Sequence, residues 1–304
     1  MPTPSLFEPL TFAHGRAMKN RFMLAPLTNL QSHPDGRLSD DEFRWLTMRA
    51  KGGFGVTMTC AAHVQRIGQG FPGQLGIFSD DHLEGLTRLA AAIKAEGSLA
   101  VVQLHHAGNR SPADLIGEAP VCPSDDPETG ARALTEAEVE QLIADFVAAA
   151  VRAKTAGFDG VEIHGAHGYI LAQFLSPEIN KRTDRFGGSL ENRARIVIEV
   201  LKGVRAACGA DFGIGLRLSP ERFGLKLAEI VDVAQSVMKD GRIVQGLANH
   251  LMAGTAFGLF EVAWFALLGP VIARDEGVIG IAHHRDDVRR HGIDDIAEAT
   301  PETA

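Results

Sequence analysis

Five short apolar segments alternate with five helix-patterned segments between residues 20 and 239. The apolar segments are Asn20–Leu27, Phe54–Ala61, Leu99–His105, Val161–His164 and Phe212–Leu218. Between them stand helix starts and stops. Ser39 with Glu42 reads as a capping box before Phe43–Lys51, and Gly52-Gly53 stops that helix. Asp80-Asp81 opens a helix through Glu96, and Thr135 with Glu138 opens another through Ala156. Glu191–Ala207 and Leu227–Lys239 follow the same pattern. A strand that is always followed by a helix cannot pair with the next strand as a hairpin. It must return in parallel across a helical crossover. Two architectures satisfy this, an open doubly wound sheet and a closed eight-unit barrel. No GxGxxG follows the first strand, which disfavours the dinucleotide-binding open sheet. Polar residues instead recur at the C-terminal ends of strands: Thr28, Gln103, His164 and Arg217. A barrel builds its site from such a ring. The fold is therefore expected to be α/β, of the (β/α)8 TIM-barrel type, with five recognisable strand–helix units.

Chemistry concentrates in Gly160–Arg193. Val161 and Ile163 face one side of the fourth strand, and Glu162 and His164 face the other. His164 thus ends the strand on its polar side, with His167 and Tyr169 just beyond. As HxxH the two histidines could ligate a metal, but no third ligand at suitable spacing follows, and no metal site is expected. They could instead be structural hydrogen-bonding groups, or donors to a substrate. Tyr169 is the only tyrosine of the 304 residues and could be a core or interface aromatic with a satisfied hydroxyl. Arg217 lies on the same side of its strand as Gly213 and Gly215, so small residues leave room beside a permanent cation. An ion pair with Glu162 inside the barrel is the competing reading. Cys60 follows a strand and is expected to be an inert buried thiol. The loop from His106 to Ala133 carries four prolines, and its length marks it as a lid or functional insertion.

Several function classes fall away. A net charge of −8 argues against a nucleic-acid surface. The three cysteines, Cys60, Cys122 and Cys208, form no CxxC pair and suit a reducing cytosol. The N-terminal MPTPSLFEPL lacks the features of a signal peptide, so a cytoplasmic location is expected. Homo-oligomerisation is left open.

APLT at Ala25–Thr28, QLHHAGNR at Gln103–Arg110, HGAHGY at His164–Tyr169, SPEINKRTDRFGGSLENR at Ser176–Arg193 and GLRLSP at Gly215–Pro220 together resemble the old yellow enzyme family. Its members are FMN-dependent ene-reductases and NADH:flavin oxidoreductases. The resemblance implies FMN as cofactor, NADH or NADPH as reductant, and a small α,β-unsaturated carbonyl compound as substrate in a ping-pong cycle. It implies that Arg217 and Gln103 bind the pyrimidine edge of the flavin, with Thr28 near O4 and N5. Ala25, Pro26, Leu27 and Ala61 would line the ring. His164 and His167 would donate to the substrate carbonyl, with His164 also beside the cofactor. Tyr169 would protonate the carbon α to the carbonyl while hydride reaches the β carbon. A phenol keeps its proton at neutral pH, as such an acid must. Asn180, Arg182, Asp184, Arg185 and Asn192 would hold their loop. His105 and His106 could touch substrate or support the lid.

The resemblance covers residues from Leu6 to about 241. Residues 1–241 read as the FMN-binding barrel portion and residues 242–304 as an atypical C-terminal segment in place of the last three units. The family holds its FMN phosphate on those last units, through backbone amides and a Gly-Arg pair. Here Gly241-Arg242 ends a helix. A deletion, frameshift or fusion near residue 243 is expected, with weak flavin binding or low stability as its consequence. A remnant of the family that no longer retains FMN is the alternative reading. Leu251–Ala273 approaches the length of a membrane span, but Glu261 and Pro270 interrupt it, and no membrane span is expected.

Overall fold

A computed structural model describes residues 5–11, 17–239 and 263–265. In chain order the elements are β1 (Met23–Leu24), α1 (Asp40–Lys51), β2 (Val56–His63), α2 (Leu83–Ala95), β3 (Leu99–His105), α3 (Ala113–Ile116), β4 (Val121–Cys122) and β5 (Arg132–Ala133). They continue with α4 (Glu136–Thr155), β6 (Gly160–Gly165), α5 (Ile170–Leu175), α6 (Leu190–Cys208), β7 (Gly213–Leu218), α7 (Leu227–Lys239) and β8 (Ala263–Phe265). The main sheet runs β1-β2-β3-β6-β7-β8, and its first five strands are parallel. They curl into a half-barrel flanked by helices, as the strand–helix alternation requires.

Every residue of β6 is buried, as in a strand covered on both faces. Its Val161 and Ile163 join Phe146 of α4 and Ile196 of α6 in the principal core. Phe146 and Ile196 are wholly buried. Each such side chain contributes about 1.5–3 kcal/mol by leaving water.

The sheet register sets the site. Ala61 pairs with Gln103, Gln103 with Glu162, and Glu162 with Gly215. Two residues further along each strand, His63 pairs with His105 and His164 with Arg217. A period of two places both rows on one face of the sheet. A register shift between Met58 and Ala61 bends β2 and re-aims its last residues.

Several expectations are corrected. The first strand is two residues long and does not span Asn20–Leu27. Asn20 Oδ1 accepts from the Phe22 amide at 3.1 Å, a local turn that competes with the ladder, and Pro26 has no N–H to continue it. Ser39 caps α1, with Glu42 N donating to its Oγ at 3.1 Å, but the reciprocal half of the box is absent. The Glu42 carboxylate turns inward, where Asn29, Ser32 and the Cys60 thiol donate to it. Three donors, two of them buried, outweigh one backbone amide at the helix start. At Thr135 and Glu138, both halves form.

The loop after β3 is built rather than open. It holds α3 and the parallel pair β4–β5. Arg182 donates to the Pro123 and Leu134 carbonyls, and Lys181 N to Ser124 Oγ. Thus the Ser176–Arg193 segment clamps this loop. At the far edge, β8 pairs antiparallel with β7, where a barrel would continue in parallel. The rest of the apolar run 251–273 lies outside the described residues. No described helix is long and apolar enough to cross a membrane.

Candidate active site

At the C-terminal ends of the parallel strands lies a cavity of about 420 Å³. Ala61, Gln103, His164 and Arg217 line it from β2, β3, β6 and β7. Pro26, Leu27 and Thr28 form the wall after β1, and His167 and Tyr169 face it from the turn after β6. Nine of the ten expected site residues thus meet in one space. Ala25 is half-buried and does not line it. Leu30 and Phe71 do line it, unforeseen from the sequence.

The turn after β6 is held from several sides. His167 adopts a left-handed conformation with φ 58°. Its amide donates to Ser219 Oγ at 2.9 Å, and its carbonyl accepts from Arg110 Nη1 at 2.6 Å. The Arg110 guanidinium also lies 5.0 Å from the centre of the Tyr169 ring. Gln173 is buried and binds the Gly168 carbonyl at 2.8 Å and Asn109 Oδ1 at 2.7 Å. It ties the β3 loop to the tyrosine turn. Gly108 passes so close that a Cβ there would meet Gln173 Oε1 at 2.3 Å, at a φ of +67°. Glycine is required at that crossing.

The histidines are neutral at ordinary pH. Burial holds His164 well below its usual range, and the His105, His167 and Arg217 charges add to this. Burial, with Arg217 and Arg110, lowers His167 to about 4. His164 Nδ1 accepts from the Ala166 amide at 3.3 Å, so a neutral ring carries its proton on Nε2. His105 is buried, its Nδ1 lies 3.0 Å from Gln74 Nε2, and its ring centre is 4.3 Å from that of Tyr169. His106 is buried, and its Nδ1 accepts from the Gly108 amide at 3.0 Å. Burial pushes the Cys60 thiol well up, and the neighbouring Glu42 adds to this, so the group is inert. No group of three His, Cys, Asp or Glu side chains suited to a metal ion occurs among the described residues.

Glu162, buried behind the cavity lining, and Arg217, which lines the cavity, do not saturate each other. Glu162 Oε1 accepts from Gln103 Nε2 at 2.6 Å, while Oε2 and Arg217 Nε are buried without hydrogen-bond partners. Such orphans are costly unless a ligand meets them. A flavin fits this donor set. Its pyrimidine edge offers acceptors to a guanidinium and both functions to an amide, and Pro26, Leu27 and Ala61 offer apolar surface to the ring. Residues that could hold its phosphate do not appear at this cavity among the described residues.

The loop residues named from the sequence are structural. Asn180 Nδ2 donates to the Phe174 and Phe186 carbonyls, each at 2.8 Å. Arg182 pairs with Asp184, and Arg185 reaches Glu136, Glu140 and Glu199. Asn192 Oδ1 accepts from Arg195 Nη2.

Residues 5–253 match the model of the NADH:flavin oxidoreductase / NADH oxidase family. The match ends beyond the boundary expected at residue 241. The chain is 46% identical over 224 residues to the "Probable NADH-dependent flavin oxidoreductase YqiG" of Bacillus subtilis (strain 168), covering 71% of this chain and 60% of that one. It spans still smaller shares, 24% and 44%, of two longer curated relatives. Among solved structures, the old yellow enzyme homologue from Zymomonas mobilis superposes with a TM-score of 0.69 at 32% identity, covering 76% of this chain and 71% of that one. Morphinone reductase in complex with tetrahydroNAD gives 0.69 at 32%, covering 77% and 70%.

Proposed function

We propose, for a chain that belongs to the NADH:flavin oxidoreductase / NADH oxidase family, that the cavity takes the ring of FMN and serves NAD(P)H-dependent reduction of a small α,β-unsaturated carbonyl compound. The observation that carries the reading is the meeting of Arg217, Gln103, two neutral histidines and the chain's only tyrosine in one cavity. Bound FMN would supply two-electron chemistry, charged by NADH or NADPH and discharged on the alkene in separate half-reactions.

The chain's own residues supply recognition and protons. Arg217, Gln103 and Thr28 bind and orient the polar edge of the ring. Pro26, Leu27 and Ala61 exclude water from its apolar part. His164, with its proton on Nε2, and neutral His167 donate to the substrate carbonyl oxygen. Negative charge gathers on that oxygen as the alkene is reduced, and fixed donors stabilise it there. Tyr169 gives its hydroxyl proton to the carbon α to the carbonyl. Its ring is held for this by His105, Arg110 and the Gln173 bridge.

A soluble enzyme of the cytoplasm is consistent with three free, buried cysteines. The reading treats residues 1–241 as the barrel portion and residues 242–304 as a separate C-terminal segment.

The test separates the half-reactions. Anaerobic NADH or NADPH should bleach the flavin, and a small enone such as cyclohexenone should then restore its colour. A flavin that NAD(P)H bleaches but no unsaturated carbonyl restores contradicts the ene-reductase reading. Protein that takes up no flavin is instead the remnant.

A further inference from the structure

The roles above leave Glu162 unused. It stands on β6 in the row Ala61, Gln103, Glu162 and Gly215, one row below His164 and Arg217. Its side chain is wholly buried. One carboxylate oxygen holds Gln103 Nε2 at 2.6 Å, and the other has no hydrogen-bond partner. Opposite it, Gly215 contributes no side chain, so Arg217 is the cation that bears on it from β7.

Two consequences follow from the chemistry of the groups. An ionised carboxylate only accepts hydrogen bonds. It therefore obliges Gln103 to turn its NH2 group inward, which leaves the amide oxygen for the cavity that Gln103 lines. An amide without such a partner could reverse its two ends at little cost. The carboxylate also offsets the charge of the guanidinium from behind the cavity lining, so Arg217 does not stand as a lone cation.

We infer that Glu162 is a positioning residue of the flavin site, fixing Gln103 with its oxygen toward the cavity and balancing the charge of Arg217. The inference rests on the flavin reading above. Its physical content is a choice of redox state. A reduced flavin carries more negative charge than an oxidised one, and an uncompensated Arg217 would favour it. Glu162 thus restrains the site from holding reduced flavin too tightly.

The experiment measures the flavin's reduction potential and FMN affinity in wild type, Glu162→Gln and Glu162→Asp. It is run at about pH 8, above the value of about 7 to which burial lifts this carboxyl against the pull of Arg217. Glu162→Gln keeps the size of the side chain and removes the charge. It should raise the ratio of reduced- to oxidised-flavin affinity about tenfold, a shift of about +30 mV for a two-electron couple. Oxidised FMN should bind more weakly because Gln103 loses its fixed orientation. Glu162→Asp keeps the charge and should return the potential to near the wild-type value. A purely structural role would lower thermal stability in both variants and leave the potential unmoved, which would overturn the inference. Wild type that binds no flavin would overturn the flavin reading itself and this inference with it.

If Glu162→Gln does not fold, the wild-type protein decides. The Gln103 side-chain NH2, assigned by 15N NMR against Gln103→Met, should exchange with solvent slowly. Rapid exchange overturns the inference.

Discussion

The rings of His164 and Tyr169 stand 5.0 Å apart and nearly perpendicular, at 87°. One ring belongs to the penultimate residue of β6, and the other to the N-cap of the short helix, five residues later. The left-handed backbone at His167 makes that reversal possible. The two rings therefore share one shelf, held by that backbone turn together with Ser219, Arg110 and Gln173. Replacing Tyr169 with Phe keeps the ring and removes the proton. Reoxidation of the flavin by an enone should slow by about 10²–10⁴-fold, the usual reach of a general acid. Stopped-flow bleaching by NAD(P)H should be unchanged.

In the proposed reaction the two histidines act through the carbonyl oxygen, so each should matter to the alkene step. His164→Ala and His167→Ala should each lower kcat/KM for the enone by about 10²-fold, as for loss of one oxyanion donor. Steady-state kinetics with the enone checks this.

Five histidines, four buried and His167 partly so, make the fold sensitive to acid. Burial lowers His63 and His106 to about 3, His167 to about 4, and His105 and His164 well below the ordinary value. Between those values and about 6.5 the unfolded chain binds protons that the folded chain refuses. Stability is therefore lost as pH falls below about 6.5. Glu162 acts in the opposite sense, because its raised value of about 7 lets the folded state hold a proton that the unfolded chain releases. One group opposes five, so the thermal midpoint should be lower at about pH 5 than at about pH 7.5. Differential scanning calorimetry at both pH values reads the sign.

Arg182 and Arg185 are three residues apart and should differ sharply. The Arg182 side chain is 8% exposed, pairs with Asp184 and clamps the loop after β3 through two carbonyls. Its loss strands buried acceptors, and Arg182→Ala should cost about 3 kcal/mol in urea unfolding. Arg185 is 40% exposed among Glu136, Glu140 and Glu199. Arg185→Ala should cost about 1 kcal/mol or less, because water already screens those pairs.

These contrasts show what a sequence can reveal. Gln103, His164 and Arg217 were legible because strand ends and a period of two are local properties, and all three reach the cavity; Thr28 reaches it too, but from the segment four residues beyond the short β1 rather than from a strand end. The Thr135–Glu138 box was legible for the same reason. Glu42 was misread because its choice between helix amide and core depends on Asn29, Ser32 and Cys60, which only the fold brings near it. Gln173, Arg110 and Phe71 were missed on similar grounds. Each sits in a loop or short helix with no periodicity, and its role comes from a partner distant in sequence. Phe71 left one trace, an apolar ring inside the run Gly70 to Gly73, where a loop has no local reason to carry it. The strand Ala263–Phe265 is too short to show any period.

The account stands on the cavity's capacity for a flavin ring. The direct measurement is the flavin content of the protein purified without added cofactor, read by its visible spectrum and by identification of what denaturation releases. The account predicts a yellow protein that releases FMN in equal molar amount to the chain, with Arg217→Met depleted of it. A colourless wild-type protein whose spectrum stays that of free flavin when FMN is added would contradict it.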